Sequence, residues 1–227
     1  MQKIFLNLTL LLSVTLTGCA TSRGLIQLPA TTPLPVTTPQ QSTQHTAVIA
    51  LVEDDRIFQE APKTPDIPSL KGGLAQATQD EKARAVARKR NGYGHALGDI
   101  LLQDGSVTQV IQQRVERALT QSGYQVIPNT DVNKATANLV LTVKINKFWS
   151  WFQPGFTSIK IHSEIDSDVI NNKTSSQPIH IYSKVTNSGQ IANGSKWIAN
   201  INQVLDDYEA QLIRELKKKT TLTFKIE

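Results

Sequence analysis

The chain of 227 residues holds one thiol, Cys19, at the end of the sequence Leu16-Thr17-Gly18-Cys19. A thiolate is a strong nucleophile, and its reactivity depends on an accessible setting. Thr17 and Gly18 supply small neighbours, and the apolar run Ile4 to Leu16 behind Lys3 leads directly to them. Downstream, the chemistry-bearing residues are scattered. His45, His95, His162 and His180 lie far apart, and neither H-E-x-x-H nor G-x-S-x-G occurs. His162 and His180 fall on neighbouring strands by pattern, with Glu164 and Asp166 nearby. A weak metal site there is weighed against a pair of surface histidines, and the surface pair is favoured. Glu164, Asp166 and Asp168 share a strand face, but an acid–base pair needs a cleft. Glu53-Asp54-Asp55 reads as a solvated strand end, because three successive acids do not converge on a cation. The reading assigns no catalytic residue, no metal and no cofactor. Two binding features stand out. Lys82, Arg84, Arg88, Lys89 and Arg90 form a basic cluster suited to an anionic partner, set against the plainer reading of a solvated mobile insertion. Trp149, Trp151 and Phe152, beside Phe148, are either core plugs or a docking patch.

The N-terminal run is shorter than the ~20 residues of a membrane-spanning helix. Its order of positive charge, apolar stretch and small residues is that of a secretory signal. Leu16-Thr17-Gly18-Cys19 resembles the lipobox of bacterial lipoproteins. The resemblance implies cleavage before Cys19, a diacylglycerol on its sulfur and acylation of its new amino group, which includes palmitate. Two or three acyl chains hold a protein stably where one does so marginally. Ala20, rather than aspartate, follows the cysteine. By the same resemblance this points to the periplasmic face of the outer membrane of a Gram-negative cell, lipid-anchored.

Residues 1–18 are therefore read as a lipoprotein signal peptide. Residues 19–45 are read as the lipidated cysteine and a Pro/Thr/Gln-rich tether, which lacks the apolar content to offset its ordering entropy. Residues 46–227 form one periplasmic α+β domain with a basic insertion at about 57–98. The net charge of +5 is too small to argue for nucleic acid. With its one thiol acylated the domain has no disulfide, so its stability rests on a hydrophobic core.

Several elements must build that core. Ala47 to Val52 reads as a strand buried on both faces. Pro62, Pro65 and Pro68 make a loop, and Leu74 to Arg90 turns helix-friendly. Gly92 to Gly98 lacks the G-x-G-x-x-G spacing and reads as a turn into a strand near Asp99 to Gln103. Ser106 to Gln109 fits a capping box. Val107, Val110, Ile111, Val115, Ala118 and Leu119 then make a helical stripe, with Arg114 and Arg117 on the opposite face. Gly123 caps that helix, and Tyr124 to Ile127 follows as a strand. Leu139, Leu141, Val143 and Ile145 alternate into the core up to an aromatic corner, with Pro154-Gly155 suited to a type II turn. Strands near Phe156–Ile170 and Ile179–Val185 have one wet face. A helix runs from about Lys196 to Lys219, and Thr221 to Ile226 alternates as an edge strand. The expected fold is α+β: a mostly antiparallel sheet with two amphipathic helices packed on it, preceded by a cleaved lipoprotein signal and a disordered tether.

The order of lipobox, strand ending near Val52 and Asp55-Arg56, capped helix into Gly123-Tyr124-Gln125-Val126, and Ala137 to Val143 resembles the YajG-type outer-membrane lipoproteins. The likeness covers 46–56 and 100–218, and the 57–98 stretch departs from it. It implies location and fold more than a reaction. The resulting expectation is a non-enzymatic envelope lipoprotein, held to the membrane by lipid on Cys19, that binds an envelope protein or anionic lipid. An accessory role in lipid or lipopolysaccharide transport or secretion is the alternative, and an envelope hydrolase is a third.

Overall fold

The computed structural model of the chain describes residues 23–30, 45–91, 93, 95–190 and 193–223, with side chains as far as residue 218. Its spine is the strand β6, Leu139–Pro154. The other strands are β1 Gly24–Ile26, β2 Thr46–Asp54, β3 Ala85–Arg90, β4 Ala96–Leu102, β5 Gln125–Val126, β7 Ile159–Asn171 and β8 Ile179–Gly189. The helices are α1 Gln79–Arg84, α2 Val107–Gln121, α3 Asp131–Thr136 and α4 Gly194–Thr223. The eight strands form one mixed sheet in the order β1-β4-β3-β6-β2-β5, with β7 and β8 continuing from the other edge of β6. This corrects the expected architecture. Among the described residues four of the seven strand pairings are parallel, and four helices are found where two were expected. One wet face predicts alternation within a strand; it does not fix the direction of the partner.

One edge of β6 serves two strands in succession. Leu139 to Ile145 pair in parallel with β2, whereas Ser150 pairs in parallel with Ala87 of β3. At the change of partner β6 carries a bulge between Ile145 and Lys147. A bulge adds a residue and reverses which face the later side chains take. Carbonyls near the fork lose strand partners, and an unpaired buried carbonyl is costly. Arg56 satisfies them. Its Nη1 donates to Ala85 O at 2.6 Å and Phe148 O at 3.1 Å, and Nη2 donates to Lys82 O at 2.8 Å. Asp54 balances the charge bidentately, at 2.6 and 2.7 Å. The Arg56 side chain is fully buried, with the Phe58 ring 5.2 Å from its guanidinium carbon.

Helices α2 and α4 cover one face of the sheet. The Ser106–Gln109 capping box starts α2, and the expected stripe is buried apart from half-buried Val110. Gly123, at φ +90°, ends the helix, and Tyr124 N donates back to Leu119 O. Phe148, Ile165, Ile181, Ile201, Val204 and Tyr208 fill the layer between helices and sheet. Small serines on the strands give α4 hydrogen bonds at close approach: Ser167 meets the Tyr208 hydroxyl at 3.0 Å, and Asn200 donates to Ser163 at 2.6 Å. The helices also clasp each other, which corrects the expectation that Arg114 faces water. Buried Glu209 accepts from Arg114, Arg117 and Gln121.

Other expectations change here. The 57–98 stretch is integral to the sheet: Ala85, Val86 and Ala87 of β3 are fully buried, and the helix-friendly run forms only the short α1. Within the stretch read as a tether, Gly24–Ile26 pairs with Ile100–Leu102 of β4. Leu51, expected in the core, is 48% exposed. The aromatic corner is strand, because the bulge lets β6 run on. Positive φ is found at Gly72, Gly73, Gly105 and Gly123 but not at Gly155, so the type II turn does not form there. Helix continues through Thr223, where an edge strand was expected, and residues 224–227 lie outside the described residues.

Removing Arg56 strips buried carbonyls of their donor while Asp54 remains open to water, and an unsatisfied buried acceptor costs about 1–3 kcal/mol. Arg56→Met should lower unfolding stability in urea by about that amount. Arg56→Lys should fail to restore it, since an ammonium cannot span the three carbonyls and Asp54 at once.

Candidate functional site

The bulge in β6 directs Lys147, Trp149 and Trp151 away from the helices, onto the outer face that they share with alternate residues of β7 and β8. Cross-strand register sets Trp151 beside His162 and Thr186, and Trp149 beside Glu164 and Lys184. The Trp151 and His162 rings stack at 5.0 Å with planes 18° apart. Lys147 and Lys184 ammoniums lie 5.4 and 5.3 Å from the Trp151 ring, within cation–π range. Glu164, largely buried, holds both lysines, at 3.0 and 3.9 Å. Tyr182 stands at the open side of this cluster, 44% exposed. Partial burial, then the nearby Glu164, pushes its phenol up to about 12. His162 Nδ1 shares a hydrogen bond with Thr186 Oγ1 at 2.8 Å, while Nε2 is buried without a protein partner. Burial, followed by the charges of Lys184 and Lys160, holds the imidazole below its ordinary range.

Further along the face Asn146 donates to Asp166 and Asp168, and His180 lies 3.0 Å from Asp168. The Asn146 hydrogen bond leads in lowering the Asp168 carboxyl. His162 and His180 do not meet: they pair with Thr186 and Asp168 respectively. Those rows are six residues apart on β7, or ~20 Å at ~3.3 Å per residue. Among the described residues no group of three or more His, Cys, Asp or Glu converges on a metal site. The three carboxylates Glu164, Asp166 and Asp168 line an open strand face.

The basic cluster divides. Arg88 and Arg90 line a cleft of about 440 Å³ with Glu60, Lys63, Tyr93 and His95. Arg88 donates to Leu97 O at 3.2 Å and Ser69 Oγ at 3.3 Å, and Arg90 reaches Thr64 O at 3.5 Å. Burial lowers both guanidiniums from their ordinary range, and Arg88's charge adds to the effect on Arg90. A guanidinium still stays protonated in any such setting. Lys89 instead lies near Gly24. Arg84 binds Asp80 and the Leu102 carbonyl at the end of α1, and the Lys82 carbonyl is held by Arg56. The aromatics divide too. Trp149 is fully buried with its Nε1 donating to Pro65 O, Trp151 is 7% exposed, and Phe152 packs on the helix side.

Cys19 and the Leu16-Thr17-Gly18 segment lie outside the described residues. The attachment of Arg23, four residues after Cys19, was not foreseen. Its Nε donates to buried Asp99 at 2.9 Å, and it also binds Glu81 and the Lys71 carbonyl. Asp99 accepts the Lys71 N–H as well, at 2.7 Å. Asp99 stood at the start of the expected strand, where a charge is ordinary, so the sequence offered no signal for this tie.

The described residues thus form a mixed sheet with two long helices on one face and charged strands β7 and β8 on the other. The family model described as uncharacterized lipoprotein matches residues 74–227, and the chain belongs to that family. The match begins inside the stretch read as an insertion, in keeping with the place of β3 in the sheet. Membership makes it a membrane-anchored lipoprotein of the bacterial envelope. The fold is similar to that of protein XCC0632 from Xanthomonas campestris, at 10% identity and a TM-score of 0.50, over 90% of this chain and 99% of that one. A minor lipoprotein from Acinetobacter baumannii aligns at 14% identity and TM-score 0.36, over 50% and 87%. Lipoprotein GNA1162 from Neisseria meningitidis aligns at 7% and 0.31, over 71% and 99%. No curated protein matches the chain in sequence. Among the described residues no helix is long and apolar enough to cross a membrane.

The depressed His162 pKa has a stability consequence. The unfolded chain takes a proton near pH 6.5 that the folded imidazole refuses. Its contribution is therefore intact above that pH and lost as pH falls through it. Imidazole NMR titration should place His162 below 6.5, and Lys184→Met should move it upward. The acid-side loss of stability should shrink in His162→Gln.

Proposed function

We propose that this lipoprotein is a non-enzymatic binding module of the YajG type, held by acylated Cys19 on the periplasmic face of the outer membrane, which binds another envelope protein. The observation that carries this reading is the outer face of β6–β8. Neither long helix packs on it, and its cations, carboxylates and aromatic rings are locked by one another into a fixed pattern. Trp149 and Trp151 are buried beneath Phe58 and Leu70 and support the face from below. The surface open to a partner is therefore the exposed β8 row of His180, Tyr182, Lys184 and Thr186, an aromatic ring among polar groups. The carboxylates there are engaged by lysine, asparagine and histidine and do not converge, which supports binding over hydrolysis.

An accessory role in lipid transport draws support from the Arg88–Arg90 cleft, whose chemistry suits a phosphate. A cargo cavity between sheet and helices finds less support, because that layer is filled by Phe148, Ile165, Ile201 and Tyr208.

A photo-crosslinking amino acid at position 182 tests the reading in cells of the source organism. One envelope protein should be recovered from position 182 and lost when Lys184→Glu reverses the local charge. Recovery of no envelope component from this face would contradict it.

A further inference from the structure

Chain direction places three features at one end of the sheet. The N-terminus of β1 points towards it, with Gly24 beside Ile100 and ~13 Å in from Ala96, because β1 and β4 are parallel. The β3–β4 hairpin turns there, since Arg90 pairs with Ala96. The β6–β7 hairpin turns there too, because β6 is parallel to β3 through Ser150 and Ala87, and Pro154 pairs with Ile159. Each hairpin tip carries a fully exposed ring: Tyr93 at 91% and Phe156 at 105%. The Arg88–Arg90 cleft with Lys63 opens at this same end. Two carboxylates bear on it: Glu60, which accepts the Leu74 N–H at 2.7 Å, and buried Asp99, whose Oδ1 lies 3.9 Å from Arg88 Nε and which is also held by Arg23 and the Lys71 N–H. The opposite end is marked by the turn between β7 and β8, a full strand of 13 residues away, or ~40 Å.

The anchor selects between the ends. Four peptide units join Cys19 to Arg23, a reach of no more than ~14 Å. Arg23 is itself fixed by Asp99 and Glu81. Ala96 lies four residues along β4 from Ile100, ~13 Å towards the tip. Acyl chains on Cys19 therefore bring the hairpin end within reach of the bilayer surface and keep the far end out of it. Aromatic rings favour the membrane–water interface, and basic residues favour anionic headgroups.

We propose that the hairpin end is a membrane-docking surface. Tyr93 and Phe156 enter the headgroup region, and the Arg88–Arg90 cleft holds a phosphate of an anionic lipid in the leaflet that carries the anchor. The outer face of β6–β8 then stands across the membrane plane, open to a partner. The inference rests on acylation of Cys19.

The test uses the acylated full chain in vesicles of phosphatidylethanolamine and phosphatidylglycerol. Acylation leaves the protein without a free thiol, so Tyr93→Cys, Phe156→Cys and Ser175→Cys each take a single spin label. Labels at 93 and 156 should be shielded from a water-soluble relaxation agent and open to oxygen in the bilayer, while the label at 175, in the β7–β8 turn, stays aqueous. Arg88→Gln with Arg90→Gln should shift the label at 156 towards water, lowering the docked-to-free ratio about tenfold or more. Protein that floats with the vesicles but keeps labels 93 and 156 as water-exposed as 175 would overturn the docking surface alone. Protein that does not float would refute the anchor, and with it the orientation. If inorganic phosphate binds the cleft while both tips stay in water, the cleft is a soluble-anion site and the proposal fails.

Discussion

The fold depends on how β6 changes partners along one edge. Two strands, β2 and β3, meet that edge in succession, and the junction would bury carbonyls that no strand amide can reach. A single guanidinium resolves it. Arg56 binds the first carbonyl of β3, a carbonyl of β6 and one of α1, while Asp54 neutralises it from the end of β2. Five donors in a rigid plane suit a site where acceptors converge from different elements, as a flexible ammonium does not. The bulge beside it turns Trp149 and Trp151 outward and Phe148 inward. The same local irregularity thus completes the main core on one face and, on the other, a second apolar cluster in which Trp149 and Trp151 pack with Leu70, Ala85 and Leu101.

Charge is used twice more to tie distant segments. Glu209 gathers Arg114, Arg117 and Gln121, so α2 and α4 form one layer rather than two separate helices on the sheet. Asp99 gathers Arg23 and the Lys71 amide, so the chain just after the cysteine is bound into the sheet. This second tie makes the anchor a directional constraint. A long free tether would leave the domain at any angle to the membrane, whereas on the proposed acylation of Cys19 a start at β1 gives the sheet a membrane end and a far end.

What the sequence made legible was local. The α2 helix follows from the Ser106 capping box, the apolar stripe and Gly123, all of which act within a few residues of one another. The alternation of Leu139 to Ile145 and of Ile161 to Val169 likewise marks strands and their core faces. Partner direction was not legible, since alternation is the same beside a parallel or an antiparallel neighbour. β3 was missed because Ala85 and Ala87 have poor strand propensity, and burial between β4 and β6 overrides it. The strand continuing through Phe148 to Phe152 was read as a corner because a bulge breaks the period of two. At the candidate sites, the sequence offered Arg88, Arg90, Trp149 and Trp151 but not their separation into a cleft and a platform. Arg56 and Asp99 looked like charges at strand ends, and their roles exist only once three or four segments converge.

The central claim is that this lipoprotein is fixed to its membrane just before β1, and that this attachment orients the domain. Intact mass and N-terminal peptide mass of the protein extracted from cell envelopes test it most directly. The account predicts a mature chain beginning at Cys19, with diacylglycerol on its sulfur and an acylated amino group. A mature chain beginning elsewhere, or a free Cys19 thiol in the membrane fraction, would contradict it.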